Sequence, residues 1–295
     1  DWLPPLLLVL LGAVLHLGPV WADPAGLMLG SALSEAPAHL WALGAGLEGL
    51  SQGSLAFTVP AAHPEGLTQP ITSPANLLLA APVWAMAGGG HVGRVLAWNS
   101  LHLGVVLLSG FGAWRLSRVL LPDAPARGWA RAVLVGAVVF ASFSWLQPWT
   151  GRAEYFTAAL WPLHLALLLR FVDEGGWARG AGSGVLLALV ALGGPYLGPF
   201  LLVLEGPILV GLLLTRRVRR TVVRVVGMGA LALAIVLPYA AWLLLGGFPG
   251  VDSLGGAELD VARATPSAVL PAMLRLGAFS DIPSAARAGV DLAVF

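Results

Sequence analysis

The feature that most constrains this chain is a series of apolar runs long enough to cross a bilayer, separated by short breaks that gather its arginines. A hydrocarbon core of about 30 Å needs roughly 20 consecutive apolar residues in a helix. Runs that meet or approach this length cover 2–21, 95–115, 130–147, 155–172, 181–193, 197–214 and 222–245. The residues are 58% hydrophobic and 11% charged, against about 25% charged in an ordinary soluble domain. The expected fold is all-α: a polytopic transmembrane helix bundle of about seven to eight membrane segments.

Several classes are excluded at once. With no cysteine there is neither a disulfide framework nor a thiolate metal site. The net charge of +1 says nothing about nucleic acid, and no basic patch interleaved with aromatics points to it, so no nucleic-acid partner is expected. All 16 basic residues are arginine, which reads as a genome-composition bias. The opening "DWLPPLLLVLLG" lacks a basic leading region and a small-residue cleavage site, so it predicts a retained span and not a signal peptide. Segment 181–214 is too long for one crossing, and "GGPYLGP" in its middle predicts a tight turn between two helices, one of them short. The run Leu77–Ala87, which contains Pro82, covers only about a third to half of a bilayer, and runs of that length are more often re-entrant or interfacial than spanning.

Arginine placement sets the expected orientation. Arg115, Arg118, Arg127 and Arg131 flank one break, Arg170 and Arg179 a second, and Arg216, Arg217, Arg219, Arg220 and Arg224 crowd a third. The positive-inside rule makes these breaks cytoplasmic. Residues 148–154, 193–198 and those after 246 are then external, as is 22–94 if the 77–87 run does not cross fully. Residues 22–75 hold no arginine but carry Asp23, Glu35, Glu48 and Glu65, which agrees with an outside location. The domain reading is a bundle over 1–246 with external loop 22–75, followed by an external or juxtamembrane tail, 247–295, expected to be an incomplete part of a larger C-terminal region.

A loop as long as 22–75 is usually functional or structured in its own right. Within it, "SEAPAHLWALGAGLEGL" predicts a helix with Ser34 at its N-cap and Glu35 in the first turn, where the helix dipole favours a carboxylate. Leu40, Leu43, Leu47 and Leu50 form one stripe, Glu35 and His39 share its edge, and Trp41 and Glu48 lie on the far side. That is the pattern of an interfacial helix with its leucines towards the membrane and its carboxylates towards water. The following "AAHPEGLTQPITSP" is polar and proline-rich, with His63 and Glu65 on a turn. Zinc at His39, His63 and a glutamate lacks the tight ligand spacing such a site uses.

Taken together, the first span, the glutamate four positions before "HLW", then "HPEG" and "SPANLLLAAPVW", resemble the GT-C superfamily. These are integral membrane glycosyltransferases that use polyprenyl-phosphate-linked sugars. "FASFSWLQPWTGRAEYFTAALWPLHLALLLRFVDEG" and "GVLLALVALGGPYLGPFLLVL" are similar to later parts of the same layout, and the resemblance covers most of 1–245. It implies a catalytic base in the first external loop, where the family has aspartate and this chain has Glu35, one methylene longer. It also implies that His63 takes the aromatic place of the family's aromatic-proline-x-glycine turn, and that "GRAEY" in the second external loop faces the donor.

On this reading the substrate-binding residues are His39, His63, Glu65, Arg152 and Glu154, with Arg152 matched to the leaving phosphate. Glu35 and Glu154 would suit Mg2+ or Mn2+ as hard-oxygen ligands. The expected partners are a polyprenyl-phosphate-linked sugar donor and the lipid bilayer, in a prokaryotic inner membrane with the active face outside. Polar residues inside or near the spans, His16, Asn99, His102, His164 and Glu205, motivate the alternative of an ion-coupled transporter or flippase, Glu205 most sharply. A non-catalytic membrane subunit is the third reading.

Overall fold

A computed structural model describes residues 3–29, 36–54, 56–59, 67–70, 73–121, 128–146, 153–194, 197–215 and 218–245. All of them fall within the unit Asp1–Gly246, and the tail from Gly247 lies outside them. The chain is a helical membrane protein. Its helices are α1 (Leu3–Leu17), α2 (Ala36–Ser51), α3 (Pro74–Met86), α4 (Gly90–Leu120), α5 (Gly128–Leu146), α6 (Trp161–Glu174), α7 (Trp177–Gly193), α8 (Leu197–Thr215) and α9 (Val218–Leu245). A 3-10 segment, Ala153–Leu160, leads straight into α6. Between α2 and α3 lies a small antiparallel hairpin, β1 (Ala56–Val59) and β2 (Leu67–Pro70), with Phe57 opposite Gln69. Among the described residues, three stretches, Gly90–Leu120, Phe156–Glu174 and Arg219–Trp242, are long and apolar enough to cross a membrane, and five further apolar helices are shorter.

Helix directions follow from which residues meet. Val9 of α1 sits against Gly110 of α4 and Gly12 against Val106, so these two helices are antiparallel. Leu8 meets Gly136 and Gly12 meets Val139, so α1 and α5 are parallel. Gly112 of α4 lies under Pro162 and Leu163, a contact close enough that a Cβ would stand 2.8 Å from the Leu163 nitrogen. Small residues at such crossings let helix backbones approach where no hydrophobic drive exists between them.

The 77–87 run is helix α3, with Pro74 in its first turn, and it folds back onto α4 through three glycines. Gly88, Gly89 and Gly90 have φ of +78°, +74° and +63°, a left-handed path that side chains disfavour. The α7–α8 break expected from "GGPYLGP" falls between Gly193 and Leu197.

Three arginines at one end of the bundle cap helices there. Arg131 of α5 donates through Nε and Nη2 to the Leu121 carbonyl, at 3.1 and 2.6 Å. Arg224 of α9 donates to the carbonyls of Phe171 (2.8 Å) and Val172 (2.6 Å) in the last turn of α6. Arg179 reaches the Gly175 carbonyl and pairs with Glu174 at 2.8 Å. The final carbonyls of a helix lack intrahelical partners, and cations are the natural group to satisfy them.

Candidate functional site

The end opposite the arginine cluster is where the described parts of 22–75 and the start of the 3-10 segment meet the bundle. Its core contains Leu17, Leu29, Leu43, Leu47, Leu77, Trp98, Leu101 and Phe156, drawn from α1, the segment after it, α2, α3, α4 and the 3-10 segment. Trp98 is fully buried. Its indole nitrogen donates to the Leu29 carbonyl at 2.7 Å, and its ring meets Phe156 edge-on at 5.4 Å.

Asn99 completes the joint. Its Oδ1 accepts from the Leu29 nitrogen at 2.9 Å, while Nδ2 donates to the carbonyls of Pro24 (2.9 Å) and Leu27 (2.7 Å). The backbone groups of an irregular segment lack partners within it, and one amide supplies them for three. Asn99, flagged in the sequence as a polar residue near a span, is therefore the anchor of the segment 24–29. His102, one turn on, keeps Nδ1 at 3.1 Å from the Trp98 carbonyl and stacks edge-on with Phe156 at 4.6 Å.

Helix α2 departs from the interfacial expectation. Leu43 and Leu47 are buried against α3 and α4, with Leu40 packed beside them, so the leucine stripe faces protein. A helix with a leucine stripe fits a bilayer surface or an apolar hairpin equally well, and here the α3–α4 hairpin supplies the surface. Glu48 is not simply a wet-face carboxylate: it forms an ion pair with Arg94 of α4, with both side chains partly exposed. Gly44 lies beneath the Arg94 side chain, where a Cβ would collide. Arg94 went unread in the sequence because it stands one residue before the expected span; a lone arginine at a helix start far from the arginine-rich breaks was the available signal.

Of the expected site residues, His39 lies in the first turn of α2, half-buried and engaged with neighbours. Glu35 precedes the first residue of that helix and lies outside the described residues, as do His63 and Glu65, in the β1–β2 connection, and Arg152. Glu154 is described only as backbone, in the 3-10 segment. Their flanks do come together: Leu29, six residues before Glu35, and Phe156, two after Glu154, are both held by Trp98. Among the described residues no three His, Asp or Glu converge as a metal site would require.

A second polar centre lies within the bundle. Glu205 of α8, 2% exposed, has Oε1 2.8 Å from Nε2 of fully buried His164 on α6. The contact is not an aligned N–H···O bond; the directed donor to the same oxygen is the Trp161 indole, at 3.1 Å. His164 Nδ1 lies 2.9 Å from the Ser183 carbonyl of α7 and 3.0 Å from its hydroxyl. The Ser183 hydroxyl donates to the Met228 sulfur of α9 at 3.1 Å. Ser183 and Trp161 had not been singled out; nothing local in the sequence ties them to a glutamate on another helix.

In comparisons with known proteins, no family model, no curated protein and no solved structure matches the chain.

Proposed function

We propose that the chain is a membrane glycosyltransferase of GT-C type, moving a sugar from a polyprenyl-phosphate donor to an acceptor at the outer face of a prokaryotic inner membrane. On this reading α1 and α4 to α9 all cross the bilayer, the arginine-rich end is cytoplasmic, and α2, α3 and the hairpin cover the outer end. The observation that carries the proposal is the joint at Trp98 and Asn99, which holds Leu29, six residues before Glu35, and Phe156, two after Glu154, against one end of α4.

The chemistry follows from the residue types. The Glu35 carboxylate takes the proton of an acceptor hydroxyl, whose oxygen attacks the anomeric carbon. The bond from that carbon to the phosphate oxygen breaks, and polyprenyl phosphate leaves with the electron pair. Arg152 meets the developing phosphate charge, and Arg94 is a further cation at the same end. His39, His63 and Glu65 are suited to hold sugar hydroxyls, and a magnesium or manganese ion would take Glu35 and Glu154 as oxygen ligands.

The ion-coupled alternative draws on the His164–Glu205 pair. Both partners, with Trp161, Ser183 and Met228, interlock four helices, which is the arrangement of a fixed joint more than of a mobile carrier site.

The test is sugar transfer from a labelled polyprenyl-phosphate donor in proteoliposomes. Glu35→Gln lowers the rate by roughly 10²–10⁴-fold, the usual loss of a general base, while Glu35→Asp remains active. Equal rates for Glu35→Gln and the parent protein remove Glu35 from the mechanism.

A further inference from the structure

Where α1 meets α4 near the arginine-rich end, the helices enclose a cavity of about 380 Å³, within the roughly 300–1,000 Å³ of small-molecule sites. Pro5, Leu6 and Val9 wall it on one side, and Leu107, Phe111 and Trp114 on the other. Gly110 forms the seam, because a Cβ there would collide with Val9. The lining is almost wholly apolar, and the cavity opens sideways: Leu6 and Leu107 are 40% exposed and Phe111 47%.

A cation stands at its rim. Leu107, Phe111, Trp114 and Arg118 follow one another at helical spacing along one face of α4. The Arg118 guanidinium lies over the Trp114 ring, 5.5 Å from its centre. Arg118 is exposed, and among the described residues no carboxylate pairs with it. Arg115 and Arg170 add positive charge nearby, each close enough to act on the other.

An arginine at a helix end ordinarily snorkels to whatever headgroup is near. Here it is fixed over the mouth of an apolar slot that runs back into the membrane along the same face. That pairing matches an amphiphile with a negative head and a hydrocarbon tail.

We propose that the α1–α4 groove binds one acyl chain of an anionic phospholipid from the leaflet on the arginine-rich side, with the lipid phosphate on Arg118. The site lies at the end of the bundle opposite Trp98, Asn99 and the loops assigned to sugar transfer, so it stands or falls independently of that assignment.

Native mass spectrometry of the purified chain, delipidated and then offered phosphatidylglycerol or phosphatidylcholine, tests it. Phosphatidylglycerol is retained preferentially by the parent protein. Arg118→Gln weakens its retention about fivefold, the effect of one cation at the headgroup layer. Leu107→Trp, which fills the slot from an exposed position, weakens it as well, with the circular-dichroism melt unchanged. Arg219→Gln, an exposed arginine of α9 away from the groove, leaves it intact. Equal retention of the two lipids overturns the proposal, as does an Arg219→Gln effect matching that of Arg118→Gln, which would mark unspecific attraction to the whole basic end.

Discussion

The joint formed by Glu205, His164 and Trp161 gives a prediction whose size follows from the geometry. In Glu205→Gln, the side-chain oxygen can stay where it accepts from the Trp161 indole. His164 Nε2 then faces a neutral amide oxygen in place of a carboxylate oxygen. If the amide turns the other way, its NH₂ meets the indole N–H donor head-on. Either way one contact of the joint is weakened. Interhelical hydrogen bonds in bilayers contribute about 0.6 kcal/mol on average, up to about 1.7, so the variant is destabilised by about 1–2 kcal/mol. Glu205→Ala and His164→Ala each leave a buried polar partner alone and cost about 3–5 kcal/mol. The double variant leaves no such orphan, so it costs less than the sum by at least about 1 kcal/mol. Unfolding in mixed micelles titrated with a denaturing detergent, followed by circular dichroism, measures all four species. A double-variant cost that equals the sum to within about 0.5 kcal/mol would refute the coupling of Glu205 to His164.

Three further outcomes are expected. Asn99→Ala removes the partners of Leu29, Pro24 and Leu27, so hydrogen exchange at the Leu29 amide accelerates by at least about tenfold while exchange in α9 is unchanged. Glu48→Gln breaks the pair with Arg94, but both side chains are partly exposed, so the loss stays under about 1 kcal/mol in the same detergent titration. Single cysteines placed at Asp123, Gly176 or Val218 react with a membrane-impermeant thiol reagent from one face only, and those at Leu55 or Thr150 only from the other; a mixed pattern contradicts the arginine-based orientation.

Much of the helical layout was legible because long apolar runs, bounded by glycines, prolines and arginines, mark helices in so apolar a chain. The α4, α5, α7–α8 and α9 segments lie close to where their apolar runs and breakers put them. What sequence could not give was the direction in which a stripe faces. The leucines of α2 read as lipid-facing because periodicity reports that a face is apolar and says nothing of what covers it. Glu48 read as solvated for the same reason, since its partner stands on another helix. The β1–β2 hairpin was missed because "AFTV" and "LTQP" are four residues each, too short to show alternation. Asn99, His164 and Glu205 were visible as polar residues in apolar surroundings, yet their roles depend on residues far away in the chain.

The claim that matters most is that the first and second polar loops form one site. The chain contains no cysteine, so any introduced pair is unique and its cross-linking is unambiguous. Glu35→Cys combined with Arg152→Cys, treated in membranes with bifunctional thiol reagents about 10 Å long (a reach of some three extended residues), measures the claim directly. The expected result is an intramolecular cross-link at high yield, with Glu35→Cys and Arg219→Cys giving none. No cross-link between positions 35 and 152, with both cysteines reactive from the same face, would contradict it.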